Sequence, residues 1–144
     1  MGISQDELAA WLSGYDSSSI TIGVVASHSS LQILHGARAE GFRTLGIAVG
    51  ENRRRYYKAF PGAEPDEWLM LEDYRELLDQ AEWLRKRNVI IIPHGSLVEY
   101  LGAENFRNLE VPTFGNRGIL KHESNRQSQR DWLEAGGCTM PKLI

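Results

Sequence analysis

The order of the predicted elements places this chain in the α/β class, as a single Rossmann-like domain built on a doubly wound parallel sheet. Segments of strand character alternate with segments of helical periodicity, and the connections between them are short. The clearest strands, 20–26 and 89–93, are dense in β-branched residues, which is typical of strands covered on both faces. Because 144 residues are enough for one hydrophobic core, we expect right-handed βαβ connections with helices on both faces of the sheet.

The first part of the chain contains two predicted strand–helix alternations. Serines come directly before the second helix, where serine side chains can cap the N-terminus, and Gly41 supplies its C-terminal stop. A further glycine, Gly50, ends the second strand. The predicted elements are a helix over 6–12, a strand over 20–26, a helix from 31 to about 41 and a strand over 44–49.

The second part of the chain begins with an irregular stretch. Residues 51–65 mix three arginines with two prolines and a glycine, and this composition predicts a loop. Asp73 is the predicted N-cap of a helix whose leucines fall on one face. The remaining predicted elements are a strand over 68–71, a helix over 73–87, a strand over 89–93, a short helix through 100, a core strand over 111–114 and a helix over about 123–135.

Composition and charge exclude several function classes. The net charge of −3 argues against a nucleic-acid-binding surface, which normally carries a basic excess. No apolar run approaches the roughly 18 residues of a membrane span, and the acidic first residues lack the apolar region of a signal peptide. The single cysteine, Cys138, cannot form an internal disulfide, which suits a reducing compartment. We therefore expect a cytoplasmic protein with neither nucleic-acid nor membrane partners.

Three predicted strand ends carry polar residues that core packing would not select. In a parallel α/β sheet, ligands bind beyond the carboxyl ends of the strands, near the point where the strand order reverses. Such residues are therefore candidates for a binding site. They are Ser27, His28, Ser29 and Ser30 after the first strand, His94, Gly95 and Ser96 after the 89–93 strand, and Asn116 and Arg117 after Gly115.

The residue types at these strand ends are suited to binding a phosphorylated small molecule. Serine hydroxyls and free backbone N–H groups at helix N-termini accept phosphate, because helix N-termini carry partial positive charge. The histidines add a donor, and a cation when protonated. The alternative is that the serines only cap helices and the histidines are satisfied loop residues, but three such loops on one sheet favour a site.

Other kinds of site have weaker support in the sequence. The four histidines lack the close paired spacing of zinc ligands, so we expect no metal site. The glycines at 46 and 50 do not make the three-glycine dinucleotide fingerprint. The arginine run at 53–55 is more typical of a solvated face than of a phosphate site, and we assign it no role.

Four motifs, met in order along the chain, identify a family. They lie at 26–37, 57–60, 92–96 and 112–117, and together they resemble the formate-dependent aminoimidazolecarboxamide ribonucleotide (AICAR) ligases of archaea, the FAICAR synthetases. The resemblance runs from about Ile20 to Ile144. The residues near 123–124 and 133–136 look like the segment that leads into the ATP-grasp lobes of that family.

The resemblance implies a reaction as well as a fold. The family uses ATP and Mg²⁺ to join formate to the 5-amino group of AICAR, giving FAICAR, ADP and phosphate in purine (IMP) biosynthesis. On the family pattern, His28 and Ser96 contact AICAR. The fold implied is a pre-ATP-grasp domain over 20–122, preceded by a lead-in helix over 1–19 and followed by a helix and linker over 123–144.

The same resemblance predicts what this chain lacks. In the family, the groups that hold ATP and Mg²⁺ lie in lobes beyond the matched region, so we expect no catalytic residue here and no ligation by this chain alone. Two alternatives stay open: a stand-alone module that binds a phosphorylated ribonucleotide without catalysis, and a related ATP-grasp ligase with another amine and carboxylate.

Apolar residues of the last helix, such as Trp132 and Leu133, also lead us to expect some self-association into a homo-oligomer.

Overall fold

A four-stranded parallel sheet organises the computed structural model, in which residues 2–142 are described. The strands are β1 (Thr21–Val25), β2 (Arg43–Val49), β3 (Glu67–Leu71) and β4 (Val89–Ile91). Their spatial order is β3-β2-β1-β4, and each neighbouring pair is parallel. The chain therefore winds outward from β1 to β3 and then returns to the other side of β1. The predicted doubly wound parallel sheet is confirmed.

Helices fill the connections between the strands and the C-terminal part of the chain. Two short 3₁₀ helices, Ser17–Ser19 and Tyr74–Leu78, accompany them. The α-helices of the described residues are α1 (Gln5–Ser13), α2 (Ser30–Ala39), α3 (Glu51–Tyr57), α4 (Ala81–Arg85), α5 (Gly95–Leu101), α6 (Ala103–Asn108), α7 (Ile119–Glu123) and α8 (Arg126–Ala135). Within residues 2–142, none of these helices is long and apolar enough to cross a membrane.

The sheet separates two hydrophobic clusters. Successive residues of a strand point to opposite faces, so Val24 and Val25, both buried, belong to different clusters. Val24 packs in the cluster that includes Leu34 of α2 and Tyr57 of α3. Val25 packs in the larger cluster, which takes in residues of the 74–78 turn and of α4 to α7. Both faces of the sheet are thus covered, as the β-branched runs predicted.

The predicted loop over 51–65 was wrong, because its first half is a helix. Gly50 has a φ of 77°, in the left-handed region that glycine adopts easily, and this lets the chain turn from β2 directly into α3. The helix shows little hydrophobic periodicity, since Tyr57 is its one buried residue. The sequence therefore carried no helical pattern, although arginine is a good helix former.

Two other predicted elements differ from the structure in extent. The single helix predicted over 73–87 is a 3₁₀ turn followed by α4, although Asp73 does cap the turn by accepting from the Arg75 N–H at 2.8 Å. The helix predicted from 123 begins at Arg126 and is preceded by the separate helix α7. Helix α6 was not predicted. The last residues of the predicted linker, 143 and 144, lie outside the described residues.

The core strand predicted over 111–114 is reduced to a single bridge between Thr113 and Ile91 of β4. The Ile91 N–H donates to the Pro112 carbonyl at 2.9 Å, and the Phe114 N–H donates to the Ile91 carbonyl at 2.9 Å. Pro112 has no N–H with which to extend the ladder, so the segment runs beside β4 without becoming a full strand. It still brings residues 114–117 to the carboxyl edge of the sheet.

Candidate functional site

The strand order reverses at β1, so the loops that follow β1 and β4 leave neighbouring strands of the same sheet edge. This is the place at which doubly wound sheets bind ligands. His94, the first residue of the second loop, donates its Nε2–H to the carbonyl of Val25 at 2.8 Å. The structure therefore brings together the 27–30 loop and the 94–96 loop, two of the three polar strand ends predicted from the sequence.

The first of these loops is held by an internal hydrogen-bond network. Ser27 and Ser30 are fully buried. The Ser30 hydroxyl donates to the Ser27 carbonyl and accepts from the Ser27 N–H, both at 2.8 Å. The Tyr57 hydroxyl donates to the same carbonyl at 2.6 Å and also contacts the Ser30 hydroxyl. Ser27 and Ser30 thus use these groups to shape the loop, and they line the site from within.

The groups that a ligand can reach come from the remaining residues of the two loops. His28 and Gly95 are exposed, and Ser29 and Ser96 are half-buried. No side chain caps the N-terminus of α2 at Ser29 or that of α5 at His94 in the described structure. The two loops therefore present hydroxyl, imidazole and backbone donors on one edge of the sheet, an arrangement that favours an anionic ligand.

His94 also carries a buried acceptor atom at the edge of the site. Its Nδ1 atom is buried and has no hydrogen-bond partner among the described residues. Burial lowers the pKa of His94, the charge of His28 lowers it further, and the hydrogen bond to Val25 opposes the shift. Because Nε2 carries the proton that is donated to Val25, the neutral ring leaves Nδ1 as an unprotonated acceptor.

An open cleft of about 450 Å³ lies beside the second loop. It has an apolar floor and two carboxylates, Glu99 and Glu123, which the sequence-based site did not include. The sequence could have predicted Glu99 as a site residue, since it lies four residues, one helical turn, after Gly95 and therefore on the same side of α5. The lining residues are Pro93, His94, Gly95, Val98, Glu99, Leu120, Glu123 and Ser124.

The third predicted loop faces a different cavity. The Arg117 guanidinium donates to the carbonyls of Leu109 and Val111, and the Asn116 side-chain oxygen accepts from the Gly118 N–H at 2.8 Å. Both residues line a cleft of about 330 Å³ that they share with the segment before α1 and with Arg107. No described contact joins Asn116 or Arg117 to His28 or His94, so a shared role in ligand binding stays a prediction.

The described residues hold no cluster of metal ligands. Within residues 2–142, no three His, Cys, Asp or Glu side chains come together as they would around a metal ion. The carboxylates of this part of the chain therefore do not form a group that fits a Mg²⁺ ion.

The chain matches one protein family and is similar in sequence to several archaeal synthetases. The family model described as "Protein of unknown function (DUF1246)" matches residues 22–144. The chain is 54% identical over 142 residues to 5-formaminoimidazole-4-carboxamide-1-(beta)-D-ribofuranosyl 5'-monophosphate synthetase 1 of Methanosarcina mazei. It is 46% and 43% identical, over 144 residues each, to the 5-formaminoimidazole-4-carboxamide-1-(beta)-D-ribofuranosyl 5'-monophosphate synthetases of Korarchaeum cryptofilum and Archaeoglobus fulgidus.

These alignments cover nearly all of this chain but less than half of each relative. They take in 99%, 98% and 99% of this chain, but 40%, 39% and 39% of the respective relatives. The chain thus spans about two fifths of the length of the relatives it matches. The resemblance read from the four sequence motifs is confirmed by the names of these relatives.

The Tyr57 hydroxyl should be a measurable source of stability. We expect Tyr57→Phe to lower the free energy of unfolding by about 0.5–1.5 kcal/mol, because it removes one buried hydrogen bond while the Ser27 carbonyl still accepts from Ser30. Urea unfolding measures the difference. The control is Tyr56→Phe on the same helix, which should change stability by less than about 0.5 kcal/mol because Tyr56 is 45% exposed. Equal losses in the two variants would contradict the proposed network.

The lowered pKa of His94 should make stability depend on pH. An unfolded histidine titrates near about 6.5, so the unfolded chain takes up this proton before the folded chain does as the pH falls. Stability should therefore fall between about pH 7.5 and 5.5, and His94→Gln should reduce that fall. Urea midpoints at both pH values measure it, with His35→Gln, at an exposed histidine, as the control. An unchanged pH dependence in His94→Gln would rule the explanation out.

Proposed function

The chain belongs to the DUF1246 family, and from that premise we propose that it is the AICAR-binding, substrate-side domain of an ATP- and formate-dependent ligase. The complete reaction is AICAR + formate + ATP giving FAICAR + ADP + phosphate, with formation of a C–N bond. The observation that carries the proposal is identity of 43–54% over nearly the whole chain to synthetases named for this product. The paired loops at the strand-order reversal support it.

The shape and polarity of the site fit the two ends of such a nucleotide. The names of the relatives specify a ribofuranosyl 5'-monophosphate attached to an imidazole carboxamide. A phosphate is suited to the donor-rich edge at His28, Ser29 and Ser96. The N–H groups of an imidazole carboxamide are suited to the cleft that holds Glu99 and Glu123. The residues of this chain would thus bind the nucleotide and orient its amine.

The rest of the reaction is proposed to take place outside this chain. ATP and Mg²⁺ would bind in the part of the relatives' length that the chain does not match, and the segment from 123 onward would lead toward it. Residues 20–122 would form the substrate-side unit, and formate would meet the amine at its edge. We place the activity in the reducing cytoplasm, where the exposed thiol of Cys138 would stay unpaired.

Calorimetry with AICAR tests the substrate. We expect the 144-residue chain to bind AICAR, and His28→Ala and Ser96→Ala each to weaken binding by about tenfold without unfolding the domain, since each removes one polar contact. His35→Ala and Ser13→Ala, at exposed positions away from both loops, are the matched controls. The substrate assignment fails if the chain binds no AICAR at millimolar concentration, or if both site variants bind like the parent.

An assay of ATP turnover tests the reaction. A protein of the relatives' full length that contains this domain should release phosphate from ATP only when formate and AICAR are both present, because the proposed ligation couples all three. The 144-residue chain alone should release none. Turnover that does not depend on formate would instead identify a related ligase with another carboxylate, and binding of AICAR with no turnover in the full-length protein would identify a binding module.

A further inference from the structure

Arg53 lies at the carboxyl edge of the sheet, where its side chain contacts the layer opposite its own helix. It sits on α3, which begins directly after β2. Its Nη2 lies 3.4 Å from the Tyr100 hydroxyl of α5, and its guanidinium carbon lies 5.9 Å from the centre of the Tyr100 ring. Tyr100 packs on one core cluster, whereas Tyr57, one turn after Arg53 on α3, belongs to the other. Arg53 therefore bridges the two layers above the strand ends.

The two helices that meet at Arg53 each support one loop of the candidate site. Tyr57, its neighbour on α3, donates to the carbonyl of Ser27 in the first loop. Tyr100, its neighbour on α5, lies one turn after Ser96 of the second loop, on the same side of that helix. A cation at Arg53 is thus flanked by the helix that supports each loop.

The charge of Arg53 has no carboxylate partner among the ion pairs of residues 2–142. Its neighbour Arg54, by contrast, lies 3.8 Å from Glu51. Burial raises the pKa of both Tyr57 and Tyr74, and the charge of Arg53 opposes the rise at each of them. A half-buried guanidinium without a counter-charge attracts an anion strongly, and its planar fork matches a phosphoryl group.

The surrounding aromatic rings restrict the positions that Arg53 can take. Tyr100 is stacked on Tyr74, with ring centres 4.9 Å apart and an interplanar angle of 13°. The guanidinium is therefore placed against a ring that is itself held in position. A side chain ordered before binding loses less entropy when it contacts a ligand. The guanidinium of Arg53 is therefore positioned to bind an anion before the ligand arrives.

We propose that Arg53 binds the 5'-phosphoryl group of the ribonucleotide held between the 27–30 and 94–96 loops. The proposal rests on the proposed function, since it requires a phosphorylated ribonucleotide in those loops. It also separates Arg53 from the other two arginines of the run, because Arg54 and Arg55 are exposed, as a solvated face requires. The charge that neutralises the phosphate would then come from a residue that sequence pattern alone had assigned no role.

Calorimetry with AICAR and with its nucleoside, which lacks the phosphate, tests the assignment. We expect Arg53→Gln to weaken AICAR binding by about 10- to 100-fold and to leave nucleoside binding unchanged, because the variant loses only the charged contact. The affinity of Arg53→Lys for AICAR should lie between that of the parent and that of Arg53→Gln, since lysine offers a point charge without the planar fork of the guanidinium. Arg55→Gln, on the same helix and with the same change in charge, should alter AICAR binding by less than about twofold.

A Tyr100→Phe variant and inorganic phosphate complete the test. Tyr100→Phe removes the hydroxyl beside Arg53 and should weaken AICAR binding by a few-fold, so the idea remains testable if Arg53→Gln does not fold. Titration of the parent with inorganic phosphate, followed through the Arg53 Nε–H signal by NMR, should shift that signal.

The outcomes separate this inference from the proposed function. AICAR binding that is equal in the parent and in Arg53→Gln overturns the role of Arg53 and leaves the function standing. Equal weakening of nucleotide and nucleoside also overturns it, because Arg53 would then be ordering the loops. If the parent binds no AICAR but binds inorganic phosphate in an Arg53-dependent way, the function fails and the anion site stands. If the parent binds neither, both are overturned.

Discussion

The hydrogen bonds between the Tyr57 hydroxyl and the first loop are the constraint on which the site depends. Two buried serines give the loop its shape, and the Tyr57 hydroxyl connects that loop to α3. The buried Ser27 carbonyl accepts from the Ser30 and Tyr57 hydroxyls together, so one hydrogen-bond network joins the loop, the helix and the strand end. Arg53 lies one turn earlier on α3, so the contact that holds Tyr57 also helps to position Arg53.

A second constraint joins the two halves of the sheet edge. Because β4 returns to the far side of β1, the loop after β4 lies beside the loop after β1, and the His94 hydrogen bond to Val25 fastens one to the other. That bond also fixes the tautomer of His94 and leaves its Nδ1 facing inward as an acceptor. The donor-rich edge and the carboxylate-lined cleft therefore lie on either side of one histidine. This asymmetry is what would orient a nucleotide, with its phosphate and its base at opposite ends.

Sequence patterns predicted most of the sheet and much of the site, for physical reasons that can be named. The β-branched residues of β1, β2 and β4 and the serines before α2 are patterns within short stretches of sequence. The structure has these strands and this helix where the patterns predicted them. Helix α3 was missed because its burial depends on Tyr57 alone, a residue whose partners are 27 and 30 positions away. The 111–114 segment was predicted as a strand because its residues are suited to one, yet Pro112 allows only one bridge.

The amino-acid sequence by itself determined the fold class, the family and the two loops that carry His28 and Ser96, because each of these is written in contiguous residues. The tertiary structure decided which polar groups remain available. It turned Ser27 and Ser30 inward, directed Arg117 to backbone carbonyls, and brought Glu99 and Glu123 into one cleft. It also placed the Arg53 side chain against Tyr100, which belongs to the layer opposite α3. Hydrogen-bond partners and counter-charges are set by contacts between residues far apart in the chain, and no local pattern records them.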